Sequence, residues 1–297
     1  MPIAELLAIS AAVCSAVSGM LIAELRGRVD IFRLGRWQMI TAFALTGGLS
    51  LSLGGWRTIA PWQFGFLAVS GFFGIILAST TYYATIYAVG ARNTALLFSL
   101  TSPFALLLAY FVLGETISLR QAAGIALVLA GIVLAIGLPN AGGASGPNRP
   151  MAAKAPWRGI ALGVMTALGQ ALGGLCARPA MAAGAEPFTA MAIRAGFAGI
   201  FFFLLAALPF PVLKSPHRFS WRAFGVAAAS AFFGVGLGMS LNMAALARGK
   251  VGIVSTLSSM TPIVILPMVW IRTGVAPPRR AWAGALLAAV GTACIGL

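Results

Sequence analysis

The sequence predicts an all-α integral membrane fold, with ten transmembrane helices arranged as two inverted five-helix repeats around a central cavity. Three observations predict it. Hydrophobic residues make up 60% of the chain and charged residues only 8%, against about 25% charged in a soluble domain. The apolar residues come in stretches of the length, roughly 20, that crosses about 30 Å of hydrocarbon. Landmarks of the first half also return in the second half at a constant spacing.

The expected spans fall at about 4–24, 38–55, 62–88, 93–113 and 119–138 in the first half, and 158–177, 187–209, 222–246, 251–271 and 280–296 in the second. They use most of the 297 residues, so chemistry has to sit between helices. The opening Met1-Pro2-Ile3-Ala4-Glu5 lacks the basic start of a signal peptide, and apolar sequence continues past any cleavage point. The first span therefore reads as a retained helix. Between the halves, Pro139 to Trp157 is rich in Gly, Pro and Ala and reads as a flexible connector. The predicted organisation is a first five-helix repeat over 1–138, a linker over 139–157 and a second, inverted repeat over 158–297.

The repeat is visible residue by residue. Phe64-Gly65 and Phe72-Phe73-Gly74 return as Phe224-Gly225 and Phe232-Phe233-Gly234, 160 positions on. At the same offset Ala84 matches Ala244, Leu97 matches Leu257, Ser99 matches Ser259 and Thr101 matches Thr261, while Gly124 and Gly131 match Gly284 and Gly291. Five helices is an odd number, so the second copy enters the membrane from the opposite face. Inverted repeats of this kind place a substrate site near the midplane between halves.

The formal net charge of +15 would suggest nucleic acid in a soluble chain. Here the basic residues sit in loops and lack the contiguous basic face that nucleic-acid binding needs. Fourteen of the twenty Lys and Arg residues fall on one face, five (Arg57, Arg120, Arg178, Arg248 and Lys250) on the other, and Arg194 within a span. The bias of basic loops toward the cytoplasm puts the fourteen inside and both termini outside. Cys14, Cys176 and Cys294 lie in apolar spans without metal-ligand spacing, and the single histidine, His217, is in a loop. No metal or cofactor is expected, and no catalytic residue.

At the end of the fourth span stands Leu113-Gly114-Glu115-Thr116-Ile117-Ser118-Leu119-Arg120-Gln121, followed by a glycine-spaced apolar helix and preceded by Ser102-Pro103-Phe104. This resembles the EamA family of the drug/metabolite transporter superfamily, over the whole chain as two copies. The second copy keeps Thr261-Pro262-Ile263 but has Gly274 near where the Glu would stand. The resemblance implies ten helices around a central cavity and export of metabolites or amino acids, aromatic and other neutral ones among them. Members of the family are commonly drawn with both termini in the cytoplasm, the reverse of the orientation the charge count gives.

Candidate residues follow from polarity inside apolar spans. A proline within a helix frees the carbonyl four residues earlier, so Pro103 is expected to expose Ser99 and Pro262 to expose Ser258, as helix-break or gating positions. Each proline follows a hydroxyl cluster: Ser99, Thr101 and Ser102 in one half, Ser255, Ser258, Ser259 and Thr261 in the other. Such hydroxyls either line a pathway or bond within the bundle. Tyr82 and Tyr83 offer apolar faces with hydroxyls suited to an aromatic solute; the competing reading for them and for Tyr87 is an interfacial belt. Asn242 matches Tyr82 at the 160 offset and, like Gln170 in mid-span, is expected to face the interior. Arg194 either snorkels to the interface, the favoured reading, or holds a substrate carboxylate. Glu5, Glu24, Asp30, Glu115 and Glu186 all fall at span ends or in loops, which weighs against proton relays built on an intramembrane acid.

The expected function is export of small metabolites, foremost neutral or aromatic amino acids, by alternating access without an intramembrane carboxylate. The alternatives are proton-coupled multidrug or metabolite efflux and, more distantly, a non-transporting or lipid-handling membrane protein. The expected partners are a small-molecule substrate and the lipid bilayer. The expected setting is a bacterial inner membrane, and the expected working unit is a monomer.

Overall fold

The computed structural model describes residues 3–114, 116–136, 156–207, 220–248, 257, 260–274 and 276–296. They form helices α1 (Ile3–Glu24), α2 (Ile31–Leu53), α3 (Pro61–Gly71), α4 (Ala78–Phe98), α5 (Thr101–Leu113) and α6 (Leu119–Ile136) in the first half. The second half contains α7 (Pro156–Ala182), α8 (Pro187–Ala207), α9 (Trp221–Ala231), α10 (Met239–Arg248), α11 (Thr261–Thr273) and α12 (Arg279–Gly296). A π-helical segment, Phe72–Leu77, joins α3 to α4, and another, Phe232–Gly238, joins α9 to α10. Both fall on the Phe-Phe-Gly landmarks of the repeat.

Helix α4 serves two spans. Gly90 has φ 83° and ψ 161° inside it, a conformation that costs a residue with a Cβ dearly. The chain doubles back there: the Tyr82 and Phe98 rings are 6.0 Å apart, whereas a straight helix would separate them by about 24 Å. With this turn the described helices fall into ten helical segments. Five described helices, the continuous run Pro61–Phe98 taken as one, are long and apolar enough to cross a membrane unaided, and Thr101–Val112, Leu119–Ala135 and Thr261–Thr273 are shorter apolar helices.

Helix α2 starts earlier than the hydropathy pattern suggests, at Ile31 rather than 38. Asp30 is its N-cap, accepting from the Arg33 backbone N–H at 2.8 Å, and the cap satisfies a backbone donor that would otherwise have no partner. Arg33 and Arg36 therefore belong to the helix. The Ser99–Leu100 interruption also differs from the expectation. It lies before Pro103, which sits in the first turn of α5, where a missing N–H costs little; Pro262 likewise falls in the first turn of α11.

The halves interleave. Helix α1 packs on α9, the second π-segment and α10, while α7 packs on α3, the first π-segment and α4. Helix α2 lies along α8, and α6 along α12. At the last contact the repeat glycines meet each other. A Cβ on Gly124 would lie 2.6 Å from the Gly291 carbonyl oxygen, and one on Gly131 would lie 2.5 Å from that of Gly284. Glycines at all four places let two backbones touch, which is how helices gain packing contact where lipid gives no hydrophobic drive.

Candidate functional site

The loop after α1, the turn at Gly90 and the end of α11 share one face of the bundle, the one richer in Lys and Arg. A cavity of about 350 Å³ opens among them, lined by Met20, Glu24, Gly90, Arg92, Asn93 and Arg272. A second, of about 340 Å³, is lined by Glu24, Gly27, Arg28, Ser220 and Arg222. Both volumes are of the size that takes a small solute. Glu24 of α1 and Arg272 of α11 form an ion pair at the rim of the first cavity, joining one half to the other.

Tyr82 does not line that cavity but meets α1 at Gly19, one residue from its wall. Its Oη rests where a Cβ on Gly19 would stand 3.1 Å away, and Ile265 of α11 is a neighbour at the same glycine. Gly19 adjoins Met20 of the cavity wall. The Phe98 and Tyr83 rings meet Tyr82 edge-on at 6.0 and 6.3 Å. Tyr82 thus stands between α1, α4 and α11, at a boundary of the two halves, and is half-buried.

Behind it runs a buried polar chain. Tyr83 Oη donates to Gln38 Oε1 at 2.9 Å, and Gln38 Nε2 donates to Ser230 Oγ at 2.5 Å. Ser230 Oγ donates to the Ala227 carbonyl at 2.8 Å, and Ser18 Oγ donates to the Ser230 carbonyl at 2.8 Å. The chain ties α4, α2 and α1 of the first half to α9 of the second. Gln38 is 1% exposed and Ser230 fully buried, so each of these groups needs its partner. The matching contact across the pseudo-twofold is Ser70 Oγ donating to the Gly173 carbonyl at 2.6 Å.

The structure redistributes the residues singled out from sequence. Tyr82 keeps a position at the boundary between halves. Tyr83 is instead core, packed with Ile22, Leu34 and Ile86, and its hydroxyl is spent on Gln38. The Ser99 hydroxyl is buried and turned to the Ala95 carbonyl of its own helix at 3.5 Å; that of Thr101 donates to the Phe98 carbonyl at 2.7 Å. The Ser99 carbonyl accepts from the Ser102 N–H at 3.4 Å, so it is not left free as the proline argument expects. Ser102 is half-buried in the first turn of α5, and Gln170 is half-buried midway along α7. Asn242 is half-buried in α10. Ser255, Ser258 and Ser259 lie outside the described residues. Arg194 does not snorkel: it is 3% exposed.

Gln38, Ser230, Ser18 and Gly19 were missed by the sequence reading. The signal for the first two was present, a polar side chain in each of two apolar spans, but nothing local says that they pair.

A sequence model of the EamA-like transporter family matches residues 2–137 and again 157–297. No curated protein matches the chain. Among the solved structures that resemble it is one described only as "Crystal structure of protein", with a TM-score of 0.68 at 18% identity, covering 98% of this chain and 95% of that one. At that identity the likeness speaks for the fold alone.

Proposed function

We propose that this chain, which belongs to the EamA-like transporter family, exports small metabolites, foremost neutral and aromatic amino acids, by alternating access. The observation that carries the reading is Tyr82. An aromatic ring with a hydroxyl, flanked by Phe98 and set against Gly19 of α1 and Ile265 of α11, offers a π-face and one hydrogen bond to a solute entering from the basic face. Tyr and Phe rings receive other aromatic groups edge-on or offset.

The described acids all stand at helix ends, none in mid-span, which supports uncoupled movement. The described acids Glu5, Glu24, Asp30 and Glu186 stand in the first turn of α1, at the end of α1 and in the caps of α2 and α8. A neutral or zwitterionic solute moving down its own gradient, or exchanging, needs no intramembrane carboxylate. By the charge bias the basic face is the cytoplasmic one, so this conformation opens inward, in a bacterial inner membrane, with each monomer a complete pathway.

The test is uptake of a labelled neutral amino-acid panel into proteoliposomes, with and without a pH gradient. Saturable flux of aromatic or branched amino acids, indifferent to the gradient, is the expected result. Flux of organic cations alone, and only with a pH gradient, would overturn the reading in favour of proton-coupled efflux.

A further inference from the structure

Among the described residues, nothing answers the charge of Arg194. It sits seven residues into α8 from Pro187 and thirteen before Ala207, so about 10 Å from one end of the helix and about 20 Å from the other. It is 3% exposed. Its one hydrogen bond among the described residues runs from Nη1 to Met191 Sδ at 3.3 Å, a weak acceptor. Nε has no partner. The nearest acid along α8, Glu186, is occupied: its carboxylate takes the Phe188 N–H at 2.9 Å and the Thr189 N–H and hydroxyl at 2.7 and 2.6 Å.

The surroundings make room for the guanidinium. A Cβ on Gly74 would lie 2.6 Å from Arg194 Nη2 and 3.1 Å from the Gly173 Cα. Gly74 in the first π-segment thus leaves the space that Nη2 occupies, and Gly173 of α7 lets the Gly74 backbone come close. π-Bulges of this kind recur at functional sites. The corresponding group in the other half makes the contrast clear. Gln38, in the second helix of its own half, reaches the interrupted helix of the other half just as Arg194 does, yet both ends of its amide are hydrogen-bonded. Each stands eight residues past the cap of its helix, Asp30 or Glu186; one is a satisfied neutral amide, and the other is a cation with unused donors among the described residues.

A buried charge without a counter-charge is costly enough that it persists where an anion offsets it, and within a membrane it marks a functional site by default. A guanidinium fork matches a carboxylate in two parallel hydrogen bonds. We infer that Arg194 binds the carboxylate of the transported solute, reached when α8 and the first π-segment separate during the transport cycle. The inference rests on the amino-acid reading for the identity of that solute, but it requires only a carboxylate.

The test compares pairs of probes that differ in the carboxylate alone. Binding of phenylalanine and of phenylalaninamide is measured by thermal shift on purified protein, and their flux in proteoliposomes, for the native chain, Arg194→Gln and Arg194→Lys. The native protein is expected to favour phenylalanine over the amide by about 10- to 100-fold, the range for hydrogen bonds to a charged group. Arg194→Gln is expected to erase that preference while remaining monodisperse, and Arg194→Lys to restore part of it. A preference that survives in folded Arg194→Gln overturns the inference. If neither variant folds, the native comparison decides, because equal treatment of acid and amide overturns it as well. If no amino acid responds but a monocarboxylate such as phenylpyruvate does, in an Arg194-dependent way, the inference stands and the amino-acid reading falls. No response to any carboxylate sinks the inference.

Discussion

Removing the Gln38 amide should weaken the junction between the halves by an amount the geometry sets. Gln38 accepts from Tyr83 Oη at 2.9 Å and donates to Ser230 Oγ at 2.5 Å. Side-chain hydrogen bonds between membrane helices average about 0.6 kcal/mol and reach about 1.7. Gln38→Leu loses two and leaves the Tyr83 hydroxyl only Ser79, whereas Ser230 Oγ keeps its own donation to the Ala227 carbonyl. The expected loss for Gln38→Leu is about 1–3 kcal/mol. Tyr83→Phe removes one bond, for about 0.6–1.7 kcal/mol. Because the two substitutions share that bond, the double variant should fall short of the sum by about 0.5–1.5 kcal/mol. Denaturant unfolding in mixed micelles measures the cycle. Ser70→Ala serves as the control, since its partner is the distant Gly173 carbonyl, and it should add to Tyr83→Phe. Additivity of Gln38→Leu with Tyr83→Phe to within about 0.3 kcal/mol would refute the claim that the chain acts as one unit.

Two further outcomes follow from the contacts. Gly131→Leu should prevent α6 from closing on α12, because even a Cβ there would stand 2.5 Å from the Gly284 carbonyl oxygen and 2.7 Å from the Ala288 nitrogen; little monodisperse protein is expected by size-exclusion chromatography, and native-like yield would contradict the packing argument. Glu24→Gln should cost under about 1 kcal/mol in unfolding free energy at moderate salt, since its partner Arg272 is 42% exposed and Glu24 itself 31%; a loss of several kcal/mol would mean that the pair is closed off from water.

The architecture was legible because its cause is repeated. The 160-residue offset marks Gly124, Gly131, Gly284 and Gly291 as equivalent, and equivalence under an inverted repeat brings them face to face across α6 and α12. The Phe-Phe-Gly segments were equally visible, but that they wind as π-helices was not, since the same letters fit an ordinary apolar helix. The start of α2 was hidden because Arg33 and Arg36 lower the local hydropathy, although Asp30 already announced a cap. At the site, the hydroxyls of Ser99 and Thr101 read as pathway groups because sequence cannot tell a hydroxyl bonded to its own helix from one facing a cavity. Gln38 and Ser230 were unreadable as a pair: 192 residues separate them, and only the interleaving of halves brings α2 onto α9.

The most direct test of transport at the boundary between halves is entrance counterflow of labelled phenylalanine into proteoliposomes preloaded with the unlabelled amino acid. The native chain should show a transient overshoot that is unchanged by a pH gradient, and Tyr82→Ala should reduce it about tenfold or more, the loss of roughly one aromatic contact and one hydrogen bond. No overshoot in the native chain, or an equal one in folded Tyr82→Ala, would contradict the account.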